Sequence, residues 1–172
     1  LLQDQLDLVM GRIPPGARSE ELLFDNLGEE QLCVIAGAQN PLAQATQLTW
    51  GELQNMTWVL QQQPSPMRTI INQVFHNARV DVPSSIVETT SIMTLLSLIQ
   101  HTDMLGVTPL SVVEDYPGRH LLAILPISFE PRLPPFGLIT RRHRIMSSAM
   151  QAFIGTVKAE HQLKISTIVS DT

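Results

Sequence analysis

"VLQQQPSPMRTIINQVF", residues 59–75, is a short apolar run, then three glutamines, then Ser65-Pro66 leading into a helix. Met67, Ile70, Ile71, Val74, Phe75 and Ala78 recur at the spacing of one helical face, which predicts an amphipathic helix over 66–78. Ser65 stands where an N-cap belongs, and Pro66 takes the first helical position, where a missing N–H is no loss. A strand running directly into a capped helix is the building unit of α/β folds. Its turn offers backbone N–H groups and the positive end of the helix dipole to whatever lies beyond.

The same alternation extends in both directions. Strands are expected at 6–11, closed by Gly11, and at 21–28, 31–38, 57–61, 85–89, 104–108, 121–129 and 136–142. Helices are expected at 48–55, 91–101, 109–116 and 145–161, and the tail "QLKISTIVSDT" reads as an added strand or a loose end. The run at 121–129 is an unusual strand, because Pro126 cannot donate in mid-sheet. "LLQDQ", at residues 1–5, reads as the end of a helix, so the sequence reads as starting inside a fold. The whole predicts an α/β fold with a largely parallel sheet. The proline-containing connections near 40–42 and 126–135 are the expected changes of lobe.

Three strand-to-helix turns share one chemistry: Ser65-Pro66, Thr90-Ser91 after "SIVET", and Thr108-Pro109 after "MLGV". Parallel strands end at one edge, so the three hydroxyl caps should gather along one rim, and open α/β sheets bind ligands there. A single such cap is also what any helix needs, so none of them points to a ligand by itself. Arg12 stands at the carboxyl end of the first strand, after Gly11. It is either a solvated loop arginine or a guanidinium placed to grip a carboxylate.

The chain has 172 residues, 44% hydrophobic and 16% charged, with net charge −5. That suffices for one ordinary domain or two small lobes. An acidic chain with no basic stripe is a poor nucleic-acid binder. The longest apolar runs fall far short of the ~20 residues a membrane span requires, and no signal peptide stands at residue 1. Cys33, the only cysteine, lies in the apolar run "QLCVIAGA" and is expected buried and reduced. The five histidines are scattered without metal-ligand spacing. No nucleophile elbow, Walker loop or dinucleotide loop occurs, so neither an enzyme nor a cofactor is expected.

The order of motifs resembles LysR-type transcriptional regulators. "DQLDLVMGRI" is similar to their "G-x-L-D-L-A-I" strand, and "NPLAQATQLTWGELQNMTWVL" to their "HPLA" segment, with Asn40 where His is usual. "ETTSIMTLLSLIQHTDMLGVTP" resembles their "E-x-x-S…G-x-G-I-x-x-L-P" stretch, with His101 and Asp103 near the first glycine and Thr108 in the leucine position. "LPISFEPRLPPFGLITRRHRIMSSAMQAFIGTVK" is similar to their return strand and last helix. The resemblance covers nearly the whole chain.

It implies a type 2 periplasmic-binding-protein-like fold: two α/β lobes joined by two crossover strands, with a small effector in the cleft. Lobe I would be 1–30 with 127–172, and lobe II 31–126. Nothing in the sequence matches the family's helix-turn-helix, linker helix, or the first strand and helix of lobe I. The resemblance assigns Gln62, Gln63, Pro64, Ser65, Thr89, Thr90, Ser91 and Thr108 to the lobe II wall, and Gly11 and Arg12 to the lobe I wall. The implied partners are a small carboxylate effector, a second copy of the chain in a homodimer or tetramer, DNA through the absent N-terminal domain, and RNA polymerase, all in the cytoplasm. A free-standing solute-binding protein of the same fold is the alternative, and upstream coding sequence separates the two. A porphobilinogen-deaminase-like enzyme would need a cofactor cysteine in a cleft loop, whereas Cys33 sits in a strand.

Overall fold

A computed structural model describes residues 1, 5–13, 20–129 and 132–170, with side chains as far as 162. In chain order the elements are β1 (Leu8–Arg12), β2 (Leu22–Gly28), β3 (Leu32–Gly37), α1 (Trp50–Leu53), β4 (Trp58–Leu60), α2 (Pro66–Asn77), β5 (Ile86–Glu88), α3 (Ile92–His101), β6 (Leu105–Pro109), α4 (Leu110–Glu114), β7 (Leu122–Ile124), β8 (Phe136–Arg141) and α5 (Ser148–Ser170). They form two compact units, Leu1–Glu29 with Pro134–Thr172, and Glu30–Leu133. Ile127, Phe129 and Leu133 pack on the second unit's core, so the chain leaves that unit beyond the 126/127 boundary suggested by the sequence.

The first unit holds a three-stranded sheet of order β1-β8-β2, with both pairings antiparallel. Gly11 does not close β1 but lies within it, opposite Gly137, and Arg12 is the last strand residue, opposite Phe136. The α5 helix continues through Ser170, where an added strand or loose tail was expected. Residues 162–170 contain no glycine or proline to stop it. The helix end read at "LLQDQ" falls largely on residues 2–4, outside the described residues.

The second unit holds a five-stranded sheet of order β5-β4-β6-β3-β7. Here the expectation of a largely parallel sheet fails. Only β4–β5 and β4–β6 pair parallel, while β3 runs antiparallel to both β6 and β7. Alternation of strand and helix fixes direction only where a helix carries the chain back across the sheet, as α2 and α3 do between these strands. In this sheet β3 alone runs against the other strands, and the connection from β3 to β4, whose only α-helix is the short α1, is not such a crossover, so the pattern is silent about the reversal. β7 ends at Ile124, so Pro126 needs no place in a ladder, and its carbonyl instead accepts from the backbone N–H of Leu48 at 3.1 Å.

The sheet is buried on both faces, as the unbroken apolar run of β3 requires. Leu32, Val34 and Ala36 face one cluster with Trp58, Leu60, Ile71 and Phe75, under α1 and α2. Cys33, Ile35 and Val59 face the other, with Leu95, Leu96, Ile99 and Val113, under α3 and α4. Trp58 and Phe75, both fully buried, meet edge to face at 5.6 Å. Gly37 ends β3 where a Cβ would come within 2.7 Å of the Ile99 carbonyl oxygen, so only glycine lets α3 settle this closely.

Cys33 and Thr108 are register partners, so they share the face under α3 and α4. Thr108 is therefore not the helix cap the sequence suggested. It is a fully buried strand residue whose hydroxyl has no hydrogen-bond partner among the described residues. Pro109 extends β6 by one residue and takes the cap position of α4 itself, without a side-chain bond. The Cys33 thiol points at the Thr108 carbonyl, with Sγ 3.5 Å from the oxygen. Burial, reinforced by Glu114, pushes the thiol from 9.0 up to about 12.

A raised folded-state value means that the stabilising protonated thiol is fully retained below pH 9 and lost as pH rises from about 9 to about 12. The stability advantage of the wild type over Cys33→Ala, measured by urea unfolding, should therefore shrink across that window. At pH 8 a thiol reagent should label the folded chain roughly a thousandfold more slowly than the unfolded chain, following the thiolate fractions. A pH-independent difference and fast labelling would show Cys33 to be accessible.

Candidate functional site

β5, β4 and β6 run parallel and end at one edge, where the chain turns into α3, α2 and α4 in that spatial order. At the end of β4, exposed Gln62, Gln63 and Pro64 lead to Ser65, whose extended backbone (φ −135°, ψ 148°) makes it the N-cap of α2. Its Oγ accepts from the Arg68 N–H at 3.0 Å, and its carbonyl accepts from the Thr69 N–H at 3.0 Å. Pro66 follows at the first helical position, as the sequence indicated.

At the end of β5 the cap falls one residue later than Thr90. Ser91 is the N-cap of α3, and its Oγ accepts from the Thr94 N–H at 3.3 Å. Thr89 explains the shift, because its Oγ1 accepts from the Ser91 N–H at 3.1 Å and closes a local turn before the helix begins. Thr90 is left exposed between them. The two turns start from paired strand ends: Leu60 lies opposite Glu88, and the Thr89 N–H donates to the Leu60 carbonyl at 3.0 Å. The structure thus brings Gln62, Gln63, Pro64, Ser65, Thr89, Thr90 and Ser91 to neighbouring strand ends, and removes the Thr108 hydroxyl from the group.

Arg68 is the residue sequence reading missed. It lies in the first turn of α2, yet it is buried, with 8% of its surface exposed. Nη1 donates to the Gln61 carbonyl at 3.2 Å and to Glu88 Oε1 at 3.1 Å, and Nε donates to Asn72 Oδ1 at 3.3 Å. A signal was present: a cation in the first turn opposes the helix dipole unless an anion answers it. The nearest acid in the following strand is Glu88.

Gly11 and Arg12 lie in the first unit. The Arg12 guanidinium donates to the Pro134 carbonyl, and its carbon sits 5.6 Å from the Phe136 ring centroid. Arg12 is half-buried and engaged with its own sheet, so it is not a solvated loop arginine.

A cavity of about 340 Å³ opens at the opposite edge of the second unit's sheet, lined by Gly37, Asn40, Gln100, His101, Asp103 and His120 among others. His101 Nδ1 lies 2.8 Å from the Ser97 carbonyl oxygen. No group of three His, Cys, Asp or Glu among the described residues is placed to hold a metal ion. No helix among the described residues is long and apolar enough to cross a membrane.

Residues 1–162 match the family model of the LysR substrate binding domain. The HTH-type transcriptional regulator GbpR of Azospirillum brasilense is 21% identical over 164 residues, covering 95% of this chain and 48% of its own. This chain thus spans about half the length of that relative. Among solved structures, the Synechocystis PCC6803 CcmR regulatory domain in complex with 2-PG superposes with a TM-score of 0.76 at 21% identity, over 93% of this chain and 76% of that one. The effector-binding domain of QuiR in complex with shikimate gives 0.70 at 16% identity, over 94% and 75%. The order of motifs, the two α/β units and the match over nearly the whole length agree, and the chain belongs to the LysR substrate-binding domain family.

Proposed function

We propose that this chain is the effector-sensing domain of a cytoplasmic DNA-binding transcription regulator, and that it binds a small carboxylate at the rim formed by Gln62–Ser65 and Thr89–Ser91. The observation that carries the reading is the state of the rim hydroxyls. The oxygens of Ser65, Thr89 and Ser91 each already accept from a backbone N–H. Each keeps its own O–H hydrogen to donate, with one lone pair beside it, and the amide groups of Gln62 and Gln63 add further donors. Two helix N-termini behind them supply partial positive charge. A donor-rich, positively polarised rim suits a ligand of acceptor oxygens. The ligands in the CcmR and QuiR complexes, 2-PG and shikimate, support a small acid.

Gly11 and Arg12 are the first unit's proposed contribution, with the guanidinium shared between the Pro134 carbonyl and the ligand. Binding would shift the populations of two conformations in a homodimer or tetramer and so reorient DNA-binding domains, with RNA polymerase as the further contact. No catalytic role is assigned to any residue.

Calorimetry of the chain against shikimate, benzoate and gluconate, with a neutral sugar and an alkylamine as controls, tests this reading. Binding of at least one acid, and of neither control, is the expected result; binding of the controls alone overturns it.

Arg12→Ala should weaken the bound acid by about 2–5 kcal/mol, because truncation leaves the carboxylate unpaired. A loss below ~0.5 kcal/mol would remove Arg12 from the site.

A gel shift with the neighbouring promoter should show binding by the complete protein and none by this chain alone. Its net charge is −5, and the basic corner is occupied internally: Arg141 donates to the Leu1 carbonyl, Arg142 to the Glu20 carbonyl, and Arg144 pairs with Asp7 at 2.6 Å. Specific binding by this chain at physiological salt would contradict that division of labour.

A further inference from the structure

We infer that Arg68 is a positioning residue that sets the separation of the two hydroxyl-lined turns, and so the shape of the ligand rim, without touching the ligand. The inference rests on reading that rim as the effector site. Three observations carry it. First, the Arg68 side chain bonds to the strand ends that lead into both turns: Nη1 donates to the Gln61 carbonyl, one residue before Gln62, and to the Glu88 carboxylate, one residue before Thr89. Second, its backbone belongs to the same device, because the Arg68 N–H is the group that Ser65 caps. One residue thus fixes the Ser65 hydroxyl from the main chain and both strand ends from the side chain. Third, the guanidinium is locked rather than floating: Nε is held by Asn72 one helical turn on, and the residue is 8% exposed.

The fork geometry explains why an arginine is needed. Its nitrogens are fixed in one plane, so a bond to Asn72 along the helix dictates where Nη1 points. A lysine ammonium can satisfy Glu88 or Gln61, but carries no second rigid arm to Asn72. Glu88 keeps 43% of its side chain exposed, so the carboxylate meets the buried guanidinium while staying partly in solvent. A rim preorganised in this way binds more tightly because its turns need not be ordered when the ligand arrives.

The test uses this chain, in wild type, Arg68→Lys, Glu88→Gln and Glu88→Ala forms, with amide hydrogen exchange in the absence of ligand and calorimetry with shikimate, benzoate and gluconate. Arg68→Lys should raise exchange about tenfold at the amides whose hydrogen bonds hold the two turns, those of residue 68, Thr69, Thr89 and Ser91, while amides at Ile70–Phe75 in the body of α2 keep wild-type rates. Glu88→Gln keeps an acceptor oxygen but removes the charge and should loosen Thr89–Ser91 less than Glu88→Ala does. Whichever acid binds the wild type should bind Arg68→Lys about tenfold more weakly, with Glu88→Gln weakened less than Glu88→Ala.

Exchange unchanged at both turns overturns the inference. So does a rise spread evenly through α2, which would make Arg68 a residue of general stability. If the wild type binds no acid, the functional reading falls, and the exchange arm still decides whether Arg68 holds the turns.

Discussion

Trp58 lies opposite both Ile86 on β5 and Leu105 on β6, and these two parallel pairings set the second unit in step. Because the strands share a direction and a register, β4 and β5 end level at Leu60 and Glu88, and the two turns that follow begin side by side, while β6 runs on to Pro109. The pairings hold because Trp58 is fully buried against Phe75 on one face, while Val59 is buried against the α3 layer on the other. Side chains alternate across a strand, so a slip of one residue would exchange those faces. A tryptophan would then be driven into a layer built around Leu95 and Ile99. The location of every rim hydroxyl follows from that burial.

Much of this was legible in the sequence, for reasons that differ by element. Helix α2 was readable because its apolar residues recur at one period and Ser65-Pro66 carry the chemistry of a start. The elements of the second unit were readable because runs such as 31–38 are too apolar to lie anywhere but between two layers. Strand direction was not readable, since the sign of a pairing depends on what connects the strands. Thr108 was misread because a hydroxyl before proline looks like a cap. Only packing shows that Pro109 still belongs to the strand and that the hydroxyl faces α3 and α4. Thr90 was misread by one position because Thr89 forms its own turn first. Arg68 was passed over because a charged residue in a helical pattern is ordinarily solvated, and its partner lies 20 residues away in a different strand.

The chain bears a net charge of −5, yet the proposed ligand is an anion. The two are compatible because they act over different ranges. Dispersed surface charge is screened beyond about 8 Å at physiological ionic strength. The N–H groups and hydroxyls of a first helical turn act at hydrogen-bond distance, where the screening ions are excluded. The Arg68–Glu88 pair fits this division, because its two charges cancel. Arg68 therefore adds order to the rim and almost no field, and within the second unit attraction for the proposed anion is left to dipoles that the fold aims. A rim of oriented dipoles discriminates by the placement of acceptor oxygens, where a bare surface cation would accept any anion. On the proposed reading, the separation of Ser65 from Thr89 and Ser91 is the variable that selects among acids.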